Sequence, residues 1–239
     1  MLSNNHFKAV LFDLDGTLRH HLPSGDEVFM QYLEGLDLRF TDEAKTLASR
    51  WEHFYFANSP EIQQDKDTFK DDHTAFWVNF SKRRLAALGL HAAQAVELAA
   101  QVAAHMEHHY KPEVHVPAEA PPALAALKEA GYTLGVVSNR DEPYHEELKN
   151  LNLDAYFDFS LAAGEIQSFK PDPRIFQRGL ELAGTSAHET MYIGDNYFAD
   201  IVGSRRAGLV PVLYDPGSLF PEAECAVIRS FDQLHDLLK

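Results

Sequence analysis

The chain has 239 residues, 45% hydrophobic and 24% charged, the composition of a soluble folded protein long enough for one large core or two smaller ones. Its 21 basic and 36 acidic residues leave a formal net charge of −15, which repels nucleic acid and anionic membranes and argues against both as partners; an anionic substrate would need local positive charge. The single cysteine, Cys225, allows no intramolecular disulfide, the polar N-terminus has no signal-peptide pattern and no apolar run approaches a membrane span of roughly 20 residues, so a cytoplasmic location is expected.

The first predicted element is a strand over Ala9–Phe12, apolar on both faces and followed by Asp13, Asp15 and Gly16. Alternate residues of an extended segment point the same way, so the two carboxylates can face one spot, where they need a cation, a shared proton or water. Gly16 permits a tight turn and a close approach of backbone to ligand. Taken alone, Asp-x-Asp-Gly is equally a solvated turn after a core strand.

From Arg19 to Val116 the strand pattern gives way to helices. Ser24 to Glu27 forms a capping box opening a first helix through Phe29 and Leu33. Thr41 caps a second, which carries Leu47, Trp51, Phe54 and Tyr55 and is broken at Asn58 to Pro60. A third is expected over about 67–88, stopped by Gly89, and a fourth over about 92–110, ending before Pro112. Four helices with short links predict a small bundle with Trp51, Phe54, Tyr55, Phe76 and Trp77 in its core. Lys111 to Pro117 reads as a linker.

Strands and helices then alternate. Helices are predicted over 121–130, 141–151, 173–183, 197–207 and 231–238, and strands over 133–137, 157–162, 191–193, 210–214 and 226–228. Asp172 and Pro173 supply an N-cap and first-turn pair. The alternation implies a doubly wound parallel α/β sheet, Rossmann-like, with helices on both faces. Such sheets bind ligands beyond the C-terminal ends of their strands. The residues there form one chemical set: Asp13 and Asp15; Ser138, Asn139 and Arg140; Lys170; and Asp195, Asn196 and Asp200. Carboxylates suit Mg²⁺, which takes oxygen ligands and keeps water and phosphate in its shell. A hydroxyl, backbone N–H groups and an ammonium suit a phosphoryl group, a carboxylate can act as nucleophile, and a second can move a proton.

These motifs (Asp13-Leu-Asp-Gly-Thr-Leu18, Val137-Ser-Asn139, Lys170-Pro-Asp-Pro173 and Ile193-Gly-Asp-Asn-Tyr-Phe-Ala-Asp200) resemble those of the haloacid dehalogenase superfamily, in the same order. The resemblance is to its phosphatase-like members with an inserted helical cap, of the phosphoglycolate phosphatase kind. It spans residues 7–18 and 117–215 and implies an α/β core domain of residues 1–18 and 117–239 and a cap domain of 19–116. It implies Asp13 as nucleophile and Mg²⁺ ligand, Asp15 as general acid and base touching the ion through its backbone carbonyl, and Asp195 as a further ligand. Gly16, Thr17, Ser138, Asn139 and Lys170 would bind the phosphoryl group, with Asn139 acting through its backbone and Lys170 balancing the charge at Asp13. Asn196 and Asp200 would stand behind the ligands or act through water. Asn196 replaces a frequent serine, and Ala199 an asparagine common before the last Asp. The implied reaction is Mg²⁺-dependent hydrolysis of a small phosphomonoester through an aspartyl-phosphate, by a monomer or homodimer. A sugar phosphomutase shares the core motifs. A dehalogenase of the superfamily works without metal and lacks the acid at the position of Asp15. A binding protein on the same scaffold is the non-catalytic alternative.

Each residue also has a plainer reading: Lys170 a surface lysine before a turn, Ser138 a helix cap, Asp200 a solvated helix residue, Arg140 and Asn196 loop residues. His105, His108 and His109 have helical spacing that could hold a metal but equally suit a helix C-terminus. His20 and His21 could approach substrate or form a hinge.

Overall fold

The computed structural model describes residues 7–237, so the predicted core-domain residues 1–6, 238 and 239 lie outside the described residues, as does Leu238 at the end of the last expected helix. The chain divides into two compact units, one running up to His20 and resuming at His115, the other His21–Val114. Strand β1 (Ala9–Phe12) is fully buried, as a run apolar on both faces requires. The next segment, β2 (His20–Leu22), pairs with a strand later in the chain.

In the unit His21–Val114, helix α1 (Gly25–Gly35) opens with the expected capping box: Ser24 Oγ accepts from the Glu27 backbone N–H at 3.1 Å and the Glu27 carboxylate accepts from that of Ser24 at 2.7 Å. Helix α2 (Asp42–Phe56) is capped by Thr41. The proline expected to end it begins α3 (Pro60–Thr68) instead, because Ser59 accepts from Ile62 N and Pro60 falls in the first turn, where a missing N–H costs nothing. The predicted third helix therefore starts later, as α4 (His73–Ala87) under an Asp72 cap, and is followed by α5 (Ala92–His109). The unit thus has five helices where four were expected. Strand β3 (Glu113–His115) lies in the predicted linker and pairs with β2.

Phe29, Leu33, Leu85, Leu88 and Val102 form one core of this unit, and Tyr55, Ile62 and Phe80 a second. Tyr55 is buried and Trp51 and Phe76 pack against it, as expected. Phe54 and Trp77 are not core residues: both are 38% exposed. Trp77 keeps its indole N–H on His73 Nε2 at 2.9 Å, a partner the helix surface provides. The unit also buries charge. Arg84 is 3% exposed, pairs with Asp26 at 2.6 Å and Glu52 at 3.1 Å, and lies 4.0 Å above the Phe29 ring.

The other unit continues with α6 (Ala120–Glu129), β4 (Thr133–Ser138), α7 (His145–Asn150), β5 (Phe159–Ala162), α8 (Ala163–Ile166), α9 (Pro173–Ala183) and β6 (Thr190–Gly194). A π-helical turn over Tyr197–Ile201 leads into α10 (Val202–Arg206), followed by β7 (Val210–Tyr214), β8 (Ala226–Ile228) and α11 (Leu234–Leu237). The sheet order is β5-β4-β1-β6-β7-β8 and every pair is parallel. Val10 and Phe12 face one core with Val136, Ile193 and Val212, while Leu11 faces the other with Val137, Ile175, Phe176 and Tyr192. That is the two-residue period of a sheet covered on both sides. The helix expected from Asp141 begins only at His145, since Pro143 disfavours helical backbone at Glu142.

Arg84→Ala should lower the unfolding free energy by about 2 kcal/mol, less than for a fully enclosed pair because Asp26 and Glu52 retain solvent. Urea denaturation followed by far-UV circular dichroism reads this; an unchanged midpoint would contradict it.

Candidate active site

The register of β1 sets the geometry. Phe12 is paired with Val136 on one side and with Ile193 on the other, so the residues following all three strands emerge together at one rim. The Asp13 N–H donates to Ile193 O at 2.8 Å, extending the ladder one step beyond β1. The chain then turns sharply. Leu14 O accepts from the backbone N–H of Leu18 and Arg19, both at 2.9 Å, and Gly16 N–H donates to Arg19 O at 2.8 Å. Gly16 has φ +91°, and a Cβ there would fall on the Asp195 carboxylate, so both the turn and the close approach require glycine.

Lys170 occupies the middle of the site. It is 2% exposed, and its Nζ donates to Asp13 Oδ1 at 2.5 Å, Asp200 Oδ1 at 2.7 Å and the Tyr192 hydroxyl at 3.1 Å. All three ammonium hydrogens are used. The Tyr192 hydroxyl donates in turn to Val137 O at 2.9 Å. Asn139 holds the Lys170 backbone from the end of β4: its Oδ1 accepts from Lys170 N at 2.6 Å and its Nδ2 donates to Lys170 O at 3.0 Å. Its side chain, rather than the expected backbone alone, therefore links it to the site. Ser138 is the last residue of β4 and is buried.

Asp195 and Asp200 follow β6. Thr17 Oγ1 accepts from Asp195 N and donates to Asp195 Oδ1, both at 3.0 Å. The Thr17 hydroxyl thus orients a carboxylate of the site. Asp200 is fully buried, with Oδ1 on Lys170 and Oδ2 accepting from Asn196 N at 2.9 Å. Asn196 caps the π-helical turn, its Oδ1 accepting from Phe198 N and Ala199 N. Asp15 faces two arginines. Arg19 donates to its Oδ1 at 2.6 Å, and Arg140 donates through Nε to Oδ2 at 2.8 Å and through Nη2 to Oδ1 at 3.0 Å. Sequence reasoning overlooked Tyr192 and Arg19. The Arg19 position, four residues after Asp15, was the available signal.

Elsewhere, the His20 ring lies 3.0 Å from Thr17 O and edge-on to Tyr214. His21 packs edge-on to Tyr110. His105 stacks between Tyr32 and His109, while His108 Nδ1 lies 2.8 Å from Ala104 O, so the three histidines are held by separate contacts.

Burial raises the Asp13 carboxyl to about 7 against the attraction of Lys170, and the charge of Asp200 adds to the rise. Burial, with the Asp13 charge next, raises Asp195 to about 7 as well. Asp200 is raised by burial and pulled back by Lys170. Burial opposes the charge on Lys170, but Asp13 and Asp200 outweigh it and hold the ammonium well above the usual lysine range. Asp15 goes the other way: burial pushes it up, yet the hydrogen bonds and charge of Arg140 and then Arg19 leave it below the ordinary carboxylate value. Asp13, Asp195 and Asp200 each offer a carboxylate oxygen, mutually within 4.8 Å. Three carboxylates stand against one ammonium in an all-oxygen donor set, which fits a hard divalent cation.

A family model described as "Hydrolase: haloacid dehalogenase-like hydrolase" matches residues 7–208. The chain belongs to the haloacid dehalogenase-like hydrolase family. Over 228 residues it is 28% identical to the ribulose-1,5-bisphosphate 5-phosphatase of Halopiger xanaduensis, covering 91% of this chain and 89% of that protein. Over 86 residues it is 36% identical to the haloacid dehalogenase-like hydrolase domain-containing protein 3 of Mus musculus, a stretch covering 36% of this chain and 34% of that one. The match thus spans about a third of the length of that curated relative. A crystal structure of a 2-haloacid dehalogenase from Pseudomonas syringae aligns at 26% identity with a TM-score of 0.56, covering 97% of this chain and 98% of that chain. The chain is thus similar to one protein named as a phosphatase and to another named as a dehalogenase. No helix among the described residues is long and apolar enough to cross a membrane.

The raised carboxyls have a consequence for stability. A group whose folded value lies above its unfolded 3.8 stabilises fully below that value and loses the contribution as pH rises through about 7. In chelator, the stability of Asp13→Asn relative to wild type should rise by about 3 kcal/mol between about pH 5 and about pH 8. Urea denaturation at the two pH values checks this; a difference independent of pH would contradict it.

Proposed function

We propose that the chain is a Mg²⁺-dependent phosphatase that hydrolyses a small phosphomonoester through an aspartyl-phosphate on Asp13. The observation that carries this reading is the buried contact of Lys170 with both Asp13 and Asp200 beside Asp195. It supplies a nucleophile, a fixed cation and spare carboxylates at one point. Asp13, Asp195 and the Asp15 backbone carbonyl would hold Mg²⁺, with Asp200 and Asn196 behind them. When bound, the ion supplies charge neutralisation for the phosphoryl oxygens and for the carboxylate cluster.

The residues of the chain do the rest. Lys170 offsets charge at Asp13 and at the incoming phosphoryl group, and Gly16, Thr17, Ser138 and Asn139 line the phosphate side. An Asp13 oxygen attacks phosphorus, the bond to the ester oxygen breaks, and Asp15 passes a proton to the departing oxygen. Water then attacks phosphorus, Asp15 takes its proton, and the bond to Asp13 breaks to release phosphate. The helical unit His21–Val114, inserted after the first motif, is assigned the predicted role of cap: excluding water and selecting the leaving group. The substrate is a small phosphorylated molecule, and the protein acts as a monomer or homodimer.

The carboxyl at Asp15 and its two arginine partners favour this reading over a metal-free dehalogenase, which has no use for a proton carrier there. Purified protein should release inorganic phosphate from a phosphomonoester panel with Mg²⁺, lose activity in chelator and regain it on adding Mg²⁺. Asp13→Asn should lower turnover at least about 10³-fold with an unchanged circular dichroism spectrum. Isomerised sugar phosphate as the product would support a mutase instead, halide release a dehalogenase. Wild-type-like turnover in Asp13→Asn would refute the nucleophile.

A further inference from the structure

We infer that Arg140, with Arg19 and Glu147, positions the Asp15 carboxyl for its proton transfers and leaves Oδ2 as the oxygen that carries the proton. This rests on the reading of Asp15 as the proton carrier of a phosphatase.

The four side chains form a closed ring in which each arginine touches both carboxylates. Arg19 donates from Nη1 to Asp15 at 2.6 Å and pairs through Nε with Glu147 at 2.7 Å. Arg140 forks onto the two Asp15 oxygens at 2.8 and 3.0 Å and onto Glu147 through Nη2 at 3.2 Å and a shorter Nη1 contact. A forked guanidinium fixes the plane of the carboxylate it grips as well as its distance. The ring is anchored to the sheet. Glu147 lies on α7, Arg140 passes 5.5 Å from the Tyr144 ring, and the buried Tyr144 hydroxyl is 3.0 Å from Val136 O and 3.1 Å from Leu161 O.

Two positive and two negative charges cancel within the ring, so Arg140 is not a spare cation for the phosphoryl group; Lys170 is the buried one. Nor is the ring chiefly a source of stability. The Asp15 side chain is 41% exposed and that of Glu147 32%, and ion pairs so open to water contribute little. What the arrangement does well is set direction. Oδ1 of Asp15 accepts two hydrogen bonds, from Arg19 and Arg140, whereas Oδ2 accepts one, from Arg140. Each carboxylate oxygen has two lone pairs, so the open one is on Oδ2. Oδ2 then gives its proton to the leaving oxygen in the first half-reaction and takes one from water in the second.

The test compares 4-nitrophenyl phosphate, whose leaving group departs readily as an anion, with benzyl phosphate, whose alkoxide needs the proton. With Mg²⁺, R140A should lower kcat/KM, which reports only the half-reaction that expels the leaving group, about 100-fold on benzyl phosphate and less than about 5-fold on 4-nitrophenyl phosphate. R140K, which keeps the charge but not the fork, should recover only part of the loss. E147Q, which retains Arg140, should show the same pattern more weakly, and it carries the test if R140A does not fold. Asp15→Asn is the reference. If it shows the leaving-group dependence and the Arg140 and Glu147 variants lose equally on both esters or not at all, the positioning role is overturned and the phosphatase reading stands. If Asp15→Asn itself loses kcat/KM equally on both esters, or wild type is inert toward both, the phosphatase reading of Asp15 fails and this inference falls with it.

Discussion

The interaction on which the rest depends is the Lys170 ammonium held among Asp13, Asp200 and Tyr192. A lysine 2% exposed is tolerable only if its charge is matched and its three hydrogens are placed. Here two carboxylates and a hydroxyl, from the end of β1, from the π-helical turn after β6 and from Tyr192 within β6, meet both conditions. The reverse also holds. Asp13 and Asp200 could not remain charged at this depth without the ammonium between them, and even with it burial keeps Asp13 near 7. The cluster has more negative charge than it can neutralise alone. That excess of negative charge is the physical ground for proposing a divalent cation at this rim, since without one an anionic phosphoryl group would be repelled.

Local backbone choices make the cluster possible. Asp195 approaches the first loop closely enough that only a residue without a Cβ fits at Gly16, and Asp200 does the same to Gly194. Asn139 ties the loop carrying Lys170 to the end of β4 through two hydrogen bonds, so the cation is placed from its backbone as well as from its side chain. Around this rigid centre Asp15 differs: more exposed, gripped by arginines and pulled below the ordinary carboxylate value. Two acids two residues apart thereby acquire opposite environments, Asp13 raised by burial and Asp15 held down by its arginines.

Much of this was legible in the sequence because apolar strands ending in polar residues leave a strong trace. Ala9–Phe12 and Met191–Ile193 announced buried strands, and the order of Asp13, Ser138, Lys170 and Asp195 after them announced a shared rim. Less legible was whatever depends on side-chain direction. Tyr192 reads as one more apolar strand residue, yet its hydroxyl reaches Lys170. Thr17 is placed near the phosphate by resemblance alone, and only the structure shows its hydroxyl orienting Asp195. Arg19 and Glu147 are ordinary surface types whose meaning comes only from meeting Asp15 and Arg140. In the helical unit, Pro60 carries opposite meanings as a breaker and as a first-turn residue, and Ser59 decides between them. Phe54 and Trp77 follow the apolar stripe but lie at its edge.

The central claim, a nucleophile on Asp13 charged by a phosphoryl group, is tested most directly by acid-quenching a single turnover and mapping the phosphorylated peptide. The account predicts transient phosphate on the peptide containing Ala9 to Leu18, attached to Asp13. Turnover with no phosphorylated peptide, or with the phosphate on another residue, would contradict it.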